Sequence, residues 1–118
     1  MAPQKSDEVR SALEKVWLDS RPEALARLAT LERFAESLRS GTSDPQSWET
    51  ALSAAHRLSG SLGMFGLNEA SSCAEKIEAL LGDGPTPDLA ATVSLVERLR
   101  MLLERTQASG REPQRRDS

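Results

Sequence analysis

Tyrosine is absent from this 118-residue chain, and its only aromatic residues are two tryptophans and two phenylalanines. Strands favour aromatic and β-branched side chains, whereas the alanine and leucine that are plentiful here favour helices. The scarcity of strand-forming residues therefore predicts an all-α fold. A chain of this length has room for one domain with one modest core.

Cysteine, long apolar runs and excess positive charge are also lacking. One cysteine, Cys73, cannot form an internal disulfide, and it has no nearby cysteine or histidine with which to bind a metal. No run of about 18 apolar residues is present to span a membrane, and no basic-then-apolar secretion signal precedes the first helix. A net charge of −3 offers no basic surface to nucleic acid. We therefore expect a soluble, cytoplasmic protein with no metal, membrane or nucleic-acid partner.

Apolar residues recur at helical spacing in five segments that are separated by short breaks. Ser20 and Pro22 predict a kink or a new helix start, so the segment before Pro22 is a cap or an extension of the first bundle helix. Short connections favour antiparallel neighbours, which predicts an up-and-down four-helix bundle with an extra N-terminal helical segment. The predicted starts are Ser6-Asp7, Pro22, Asp44-Pro45, Leu67 and Thr86-Pro87, and the last helix runs to about Thr106.

The predicted domain organisation places the bundle at residues 7–106. Residues 1–6 are predicted to be a flexible N-terminus. The polar composition of residues 107–118 predicts a disordered tail or a linker.

The only histidine, His56, falls at the edge of the exposed face of the third predicted segment. At about 100° per residue, Gly60 and Gly63 share its stripe, whereas the neighbouring apolar residues point towards the core. A glycine inside a helix costs about 1 kcal/mol relative to alanine, so bare backbone beside the imidazole indicates a use. It would let another protein approach the nucleophilic nitrogen. The alternative is that these glycines permit close helix packing or begin the turn.

The segment Ala55-His56-x-Leu58-x-Gly60-Ser61-x-x-x-Phe65-Gly66-Leu67 resembles the signature of histidine-containing phosphotransfer (HPt) domains. In that family Ala-His-x-Leu-Lys-Gly-Ser precedes an apolar-Gly-apolar step, and the resemblance extends over roughly Leu25 to Leu103. It implies a histidine that a kinase or receiver domain phosphorylates and that passes the group to a receiver aspartate. By position, His56 is the phosphoacceptor and Gly60 the small neighbour that opens the surface.

Ser59 stands where the family usually has lysine. A lysine would offer a positive charge to the phosphoryl group, whereas a serine hydroxyl offers only a hydrogen bond. Arg57 is the nearest basic substitute, but it points about 100° away around the helix. Two functions therefore stay open: a phosphocarrier with Ser59 as neighbour of the phosphate, and a non-phosphorylated interaction or scaffold bundle that keeps the HPt surface.

Glu78 is predicted to face His56 across a helical hairpin. With the turn centred near Leu67, His56 lies eleven residues before it and Glu78 eleven after. Family members resemble this, with a Glu or Gln that hydrogen-bonds the imidazole. An acceptor on Nδ1–H would leave Nε2 unprotonated as the nucleophile. A solvated surface carboxylate is the alternative, and Glu75, one turn earlier, is the second candidate.

The expected partner is the receiver domain of a response regulator, a histidine kinase, or both. The partner would supply the catalysis and the Mg²⁺, so we expect this chain to be a monomeric phosphocarrier, not an enzyme, without a cofactor of its own. The sequence has no phosphate-binding glycine loop and no nucleophile–base–acid set, so we expect no autophosphorylation from ATP. The partner is expected to dock on Leu52, Arg57, Gly60, Gly63 and Met64.

Overall fold

The part of the chain that the structure describes folds into four helices: α1 (Gln4–Ser40), α2 (Pro45–Met64), α3 (Asn68–Gly82) and α4 (Leu89–Glu104). The structure, a computed structural model, describes residues 4–106 and, within that range, the side chains from residue 8 onward. This part of the chain holds no strand, which confirms the all-α prediction. No helix within it is long and apolar enough to cross a lipid bilayer.

The described residues include only part of the two predicted terminal segments. The predicted tail over residues 107–118 lies outside it, as do residues 1–3 of the predicted flexible N-terminus. Residues 4–6 belong to α1, which begins before the Ser6-Asp7 start signal.

The first two predicted segments form one continuous helix. The segment before Pro22 is therefore an extension of the first bundle helix, as one of the two predicted alternatives had it. Pro22 lies inside α1, where its missing N–H removes a backbone hydrogen bond. Packing holds the helix together at this point, because Trp17 and Ala24 are buried on either side of the proline. Arg21 also donates from Nη2 to the carbonyl oxygen of Leu103, at 3.2 Å. Tertiary contacts thus override a local helix breaker.

Each described helix packs against its neighbours in chain order, and α1 closes the ring against α4. The pairs α1–α3 and α2–α4 lie diagonally opposite, with no two Cα atoms within 8 Å of each other. This is the predicted four-helix bundle. The centre is almost entirely aliphatic, and burial of these side chains is the main stabilising term. The fully buried leucines and isoleucine include Leu28, Leu31, Leu58, Leu62, Ile77, Leu99 and Leu103.

The turn between α2 and α3 fixes the hairpin that carries the candidate site. Gly66 has a φ of +78°, a conformation that glycine adopts without steric cost. Leu67 N–H donates to the Leu62 carbonyl and Gly66 N–H to that of Gly63, both at 3.0 Å. These two bonds form a Schellman motif, and its apolar pair, Leu62 and Leu67, is fully buried. The turn is therefore short and fixed in geometry.

Asp44 caps α2, and its substitution should weaken the fold in a pH-dependent way. Its carboxylate accepts from the Ser47 backbone N–H at 2.7 Å, and that bond is the main cause that lowers the pKa of Asp44 below 3.8. A lowered folded pKa gives stability that is present above the unfolded value and is lost as the pH falls through the folded one. We expect Asp44→Ala to lower the melting temperature at about pH 7 and to have a smaller effect near about pH 3.

Thermal melts followed by circular dichroism measure this difference. Asp83→Ala is the matched control, because Asp83 is an exposed carboxylate just beyond the C-terminal end of α3. An equal loss for Asp44→Ala at both pH values would mean that the charge of Asp44 does not contribute.

Candidate functional site

His56 lies on the outside of α2, with 73% of its side chain exposed. The residues that bracket it, Ala55 and Leu58, are fully buried. The helix phase that buries these two residues therefore places the imidazole at the surface, as the sequence predicts. An exposed ring is accessible to another protein, which a core histidine would not be.

The Glu78 carboxylate lies 2.8 Å from His56, joining Oε2 to Nδ1. A carboxylate without a proton can only accept, so this contact favours the His56 tautomer that carries its proton on Nδ1. The neutral ring then has an unprotonated Nε2, which is the nitrogen available for nucleophilic attack. The distance agrees with the hairpin argument, and the role of Glu78 in transfer stays a prediction. Glu75, the second candidate, lines the groove beside the ring.

Ser59 contacts the carboxylate that binds His56. Its hydroxyl donates to the His56 carbonyl oxygen at 2.9 Å and lies 3.4 Å from Glu78 Oε1. The structure thus brings His56, Glu78 and Ser59 together on one side of the α2–α3 hairpin. The predicted role of Ser59 as a neighbour of the phosphate stays a prediction.

The two glycines on the His56 stripe have different surroundings, although both are exposed. A Cβ added to Gly60 would meet nothing within 4 Å, so this position is bare surface. A Cβ added to Gly63 would lie 3.2 Å from Ser71 Oγ on α3. Gly63 therefore allows close approach of the two helices, which was the alternative reading of this residue.

The remaining predicted docking residues differ in exposure. Met64 is 76% exposed, a large apolar side chain at the end of α2, and Arg57 is exposed as well. Leu52 is half-buried and packs against the core while it lines the groove beside His56. Their part in docking stays a prediction.

A groove of about 640 Å³ runs between α2 and α3 from His56 towards the start of α2. Its floor is apolar and its rim carries three carboxylates, with no lysine or arginine among its lining residues. Sequence reasoning did not identify this feature, because its lining comes from two helices and the pattern of one helix does not fix how they pack. The groove includes Glu49, Leu52, His56, Glu75, Glu78 and Ala79.

Sequence reasoning also missed Ser71, which lies on α3 opposite the predicted site on α2. Its hydroxyl donates to the Ser59 carbonyl oxygen at 2.8 Å, across the α2–α3 contact. The arithmetic that pairs His56 with Glu78 about Leu67 also pairs Gly63 with Ser71, four residues on either side. That signal was available, and a small polar residue opposite a glycine could have been read from it.

Cys73 lies in the core, where burial raises the pKa of its thiol, and its Sγ donates to the Leu95 carbonyl oxygen at 3.3 Å. Such a thiol stays protonated at neutral pH and is a poor metal ligand. Over the described residues, no group of three or more His, Cys, Asp or Glu side chains is arranged to hold a metal ion.

Comparisons with known proteins address the same stretch of chain. Residues 6–109 match the family model described as Hpt domain. Protein RcaC of Microchaete diplosiphon is 31% identical over 70 residues, which cover 59% of this chain and 11% of RcaC. The match thus spans about a tenth of the length of that relative. No solved structure matches the chain.

Proposed function

The chain belongs to the Hpt domain family, and we propose that it carries a phosphoryl group on His56 to or from the aspartate of a receiver domain. One observation supports this choice above the others. The only histidine is exposed, and a carboxylate holds its Nδ1 proton, which leaves Nε2 free to attack. This is the protonation state that a histidine nucleophile needs.

The proposed step is an in-line displacement. The Nε2 lone pair forms a bond to phosphorus, and the bond from phosphorus to the receiver's aspartate oxygen breaks, which releases the aspartate carboxylate. The imidazole retains its Nδ1 proton and becomes positively charged. Glu78, 2.8 Å from Nδ1, stabilises that charge. The reverse displacement hands the group to another receiver.

The chain acts in this proposal as a phosphocarrier and not as an enzyme. Stabilisation of the transferring group falls to the receiver and its Mg²⁺, because metal ions neutralise the charge that develops on the phosphoryl oxygens. A histidine kinase is the other partner that the family implies. We expect the carrier to work as a cytoplasmic monomer, and its predicted docking residues all belong to α2.

A label-transfer experiment tests the proposal. Purified receiver domains are phosphorylated on aspartate with radioactive acetyl phosphate and then incubated with the chain. We expect label on the chain that is stable in alkali and lost in acid, as phosphohistidine is. A chain that binds the receivers and takes no label would be the non-phosphorylated scaffold bundle. This is the second candidate, because Ser59 stands where the family usually has lysine. A chain that neither binds nor takes label would contradict both functions.

Glu78→Ala should slow phosphorylation of His56 by about two- to tenfold, the rate equivalent of one hydrogen bond of about 0.5–1.5 kcal/mol. Without the acceptor, the ring samples both tautomers, and the fraction with a free Nε2 falls. The ¹⁵N chemical shifts of the ring report the tautomers, and the label assay gives the rate.

The control for this prediction is Glu75→Ala, which removes a carboxylate from the same groove. It should leave the tautomer ratio unchanged. A larger effect from Glu75 than from Glu78 would mean that the solution register differs by one helical turn.

A further inference from the structure

A chain of hydrogen bonds crosses the contact between α2 and α3 beside His56, and Ser59 is its centre. The Ser59 carbonyl oxygen accepts from Ser71 Oγ at 2.8 Å. The Ser59 hydroxyl lies 3.4 Å from Glu78 Oε1, while Oε2 of the same carboxylate accepts from His56. Two residues of α3, Ser71 and Glu78, therefore both contact Ser59 on α2.

Among the described residues, the Ser71 hydroxyl donates across the helix contact to the Ser59 carbonyl oxygen. Ser71 is a nine-tenths-buried polar residue in α3, and Ala70 and Ala74 near it are fully buried. A buried hydroxyl without a partner is unfavourable, so the bond to Ser59 favours one position of α3 against α2. The approach depends on Gly63, because a Cβ there would lie 3.2 Å from Ser71 Oγ.

The Ser59 hydroxyl restrains the carboxylate from the other side. The single Ser59 proton has two acceptors within reach, the His56 carbonyl oxygen at 2.9 Å and Glu78 Oε1 at 3.4 Å. When the hydroxyl turns to Oε1, both oxygens of the carboxylate are bonded, Oε2 to the imidazole and Oε1 to Ser59, and this limits rotation of the carboxylate. A lysine at this position would bring an ammonium that competes with His56 for the same carboxylate. Serine in place of the family's usual lysine therefore leaves Glu78 to the histidine.

We propose that Ser59 and Ser71 are positioning residues for phosphotransfer, which act on His56 through Glu78. Ser71 fixes the register of α3 on α2, and Ser59 orients the carboxylate that holds the Nδ1 proton. This inference rests on the proposed function, but its geometric half concerns the unphosphorylated ring and is measured without a partner.

A first double-mutant cycle tests Ser59. Ser59→Ala should raise the fraction of the Nε2–H tautomer in the ¹⁵N spectrum and slow label transfer by about two- to fivefold. In a Glu78→Ala background the same substitution should change neither quantity, because its route to the histidine is gone. An equal slowing in both backgrounds would show that Ser59 acts directly on the phosphoryl group or the partner, and would overturn the proposal for this residue.

A second cycle tests Ser71. Ser71→Ala and Gly63→Ala should each shift the tautomer ratio in the same direction as Ser59→Ala. Gly63→Ala should add nothing once Ser71 is alanine, because the atom that its Cβ would meet has been removed. Ser72→Ala, an exposed serine beside Ser71, is the control that should have no effect.

The outcomes separate this inference from the proposed function. Tautomer shifts in the two cycles without any label transfer would keep the positioning geometry and overturn the phosphocarrier. Label transfer in the wild type, with a tautomer ratio that Ser59→Ala and Ser71→Ala leave unchanged, would overturn the positioning role and keep the carrier.

Discussion

Replacing His56 with glutamine is expected to abolish phosphorylation of the chain, with a loss of at least about a thousandfold in the rate of label transfer. The glutamine amide nitrogen is not a nucleophile, and the chain has no second histidine to take its place. Because 73% of the side chain is exposed, we expect the free energy of unfolding to change by no more than about 0.5 kcal/mol.

Binding of the variant separates the chemistry from the docking. His56→Gln should still bind an unphosphorylated receiver with an affinity close to that of the wild type, because the neighbouring surface is unchanged. Acid-labile label that persists on the variant would mean that another residue is the phosphoacceptor. Loss of binding together with loss of label would mean that the imidazole is itself a major docking contact.

The parts of the site that the sequence predicts are those that depend on helix periodicity and a short turn. The burial of Ala55 and Leu58 sets the exposure of His56, since about 3.6 residues make a turn. The distance to Glu78 follows because two helices joined by a tight turn place equidistant residues opposite each other. Both inferences use only the spacing of residues along the chain, so the sequence alone is enough to predict the exposure of His56 and its distance from Glu78.

The continuity of α1 is harder to predict, because it depends on contacts between distant residues. Ser20 and Pro22 are local signals for a helix start, and nothing nearby in the sequence opposes them. One of the contacts that stabilise the helix there joins Arg21 to the Leu103 carbonyl, 82 positions away. Propensity cannot include such a contact.

Charged side chains that pair between helices are a second example. Helical spacing predicts solvated faces, with some ion pairing along a helix, for Glu32, Arg33, Glu97 and Arg98. In the structure, Arg100 donates to both carboxylate oxygens of Glu32, which ties α4 to α1, and Arg98 donates to Glu69 on α3 at 2.6 Å. Pairs between helices depend on how the helices rotate against each other, which the pattern of one helix does not fix. These pairs are partly exposed, so each adds little to stability.

Substituting Gly60 with glutamate is expected to weaken docking of a receiver domain by at least about tenfold, which corresponds to about 1.4 kcal/mol. Gly60 is exposed one helical turn after His56, and a side chain there meets nothing in the chain itself within 4 Å. A bulky group would therefore occupy the space through which the partner approaches the imidazole. Gly60→Leu should have the same effect, which would attribute it to bulk and not to charge.

The fold should tolerate these changes at Gly60, and this makes the test decisive. Replacing a helix-interior glycine with alanine stabilises a helix by about 0.5–1 kcal/mol, so Gly60→Ala should unfold at a higher temperature than the wild type. Ser94→Glu adds the same carboxylate at an exposed position of α4, the helix diagonally opposite α2, and should leave the affinity unchanged. Calorimetric titration with an unphosphorylated receiver measures all four variants. If Gly60→Glu binds as tightly as Ser94→Glu, the receiver docks on a different face, and bare backbone beside His56 needs another explanation.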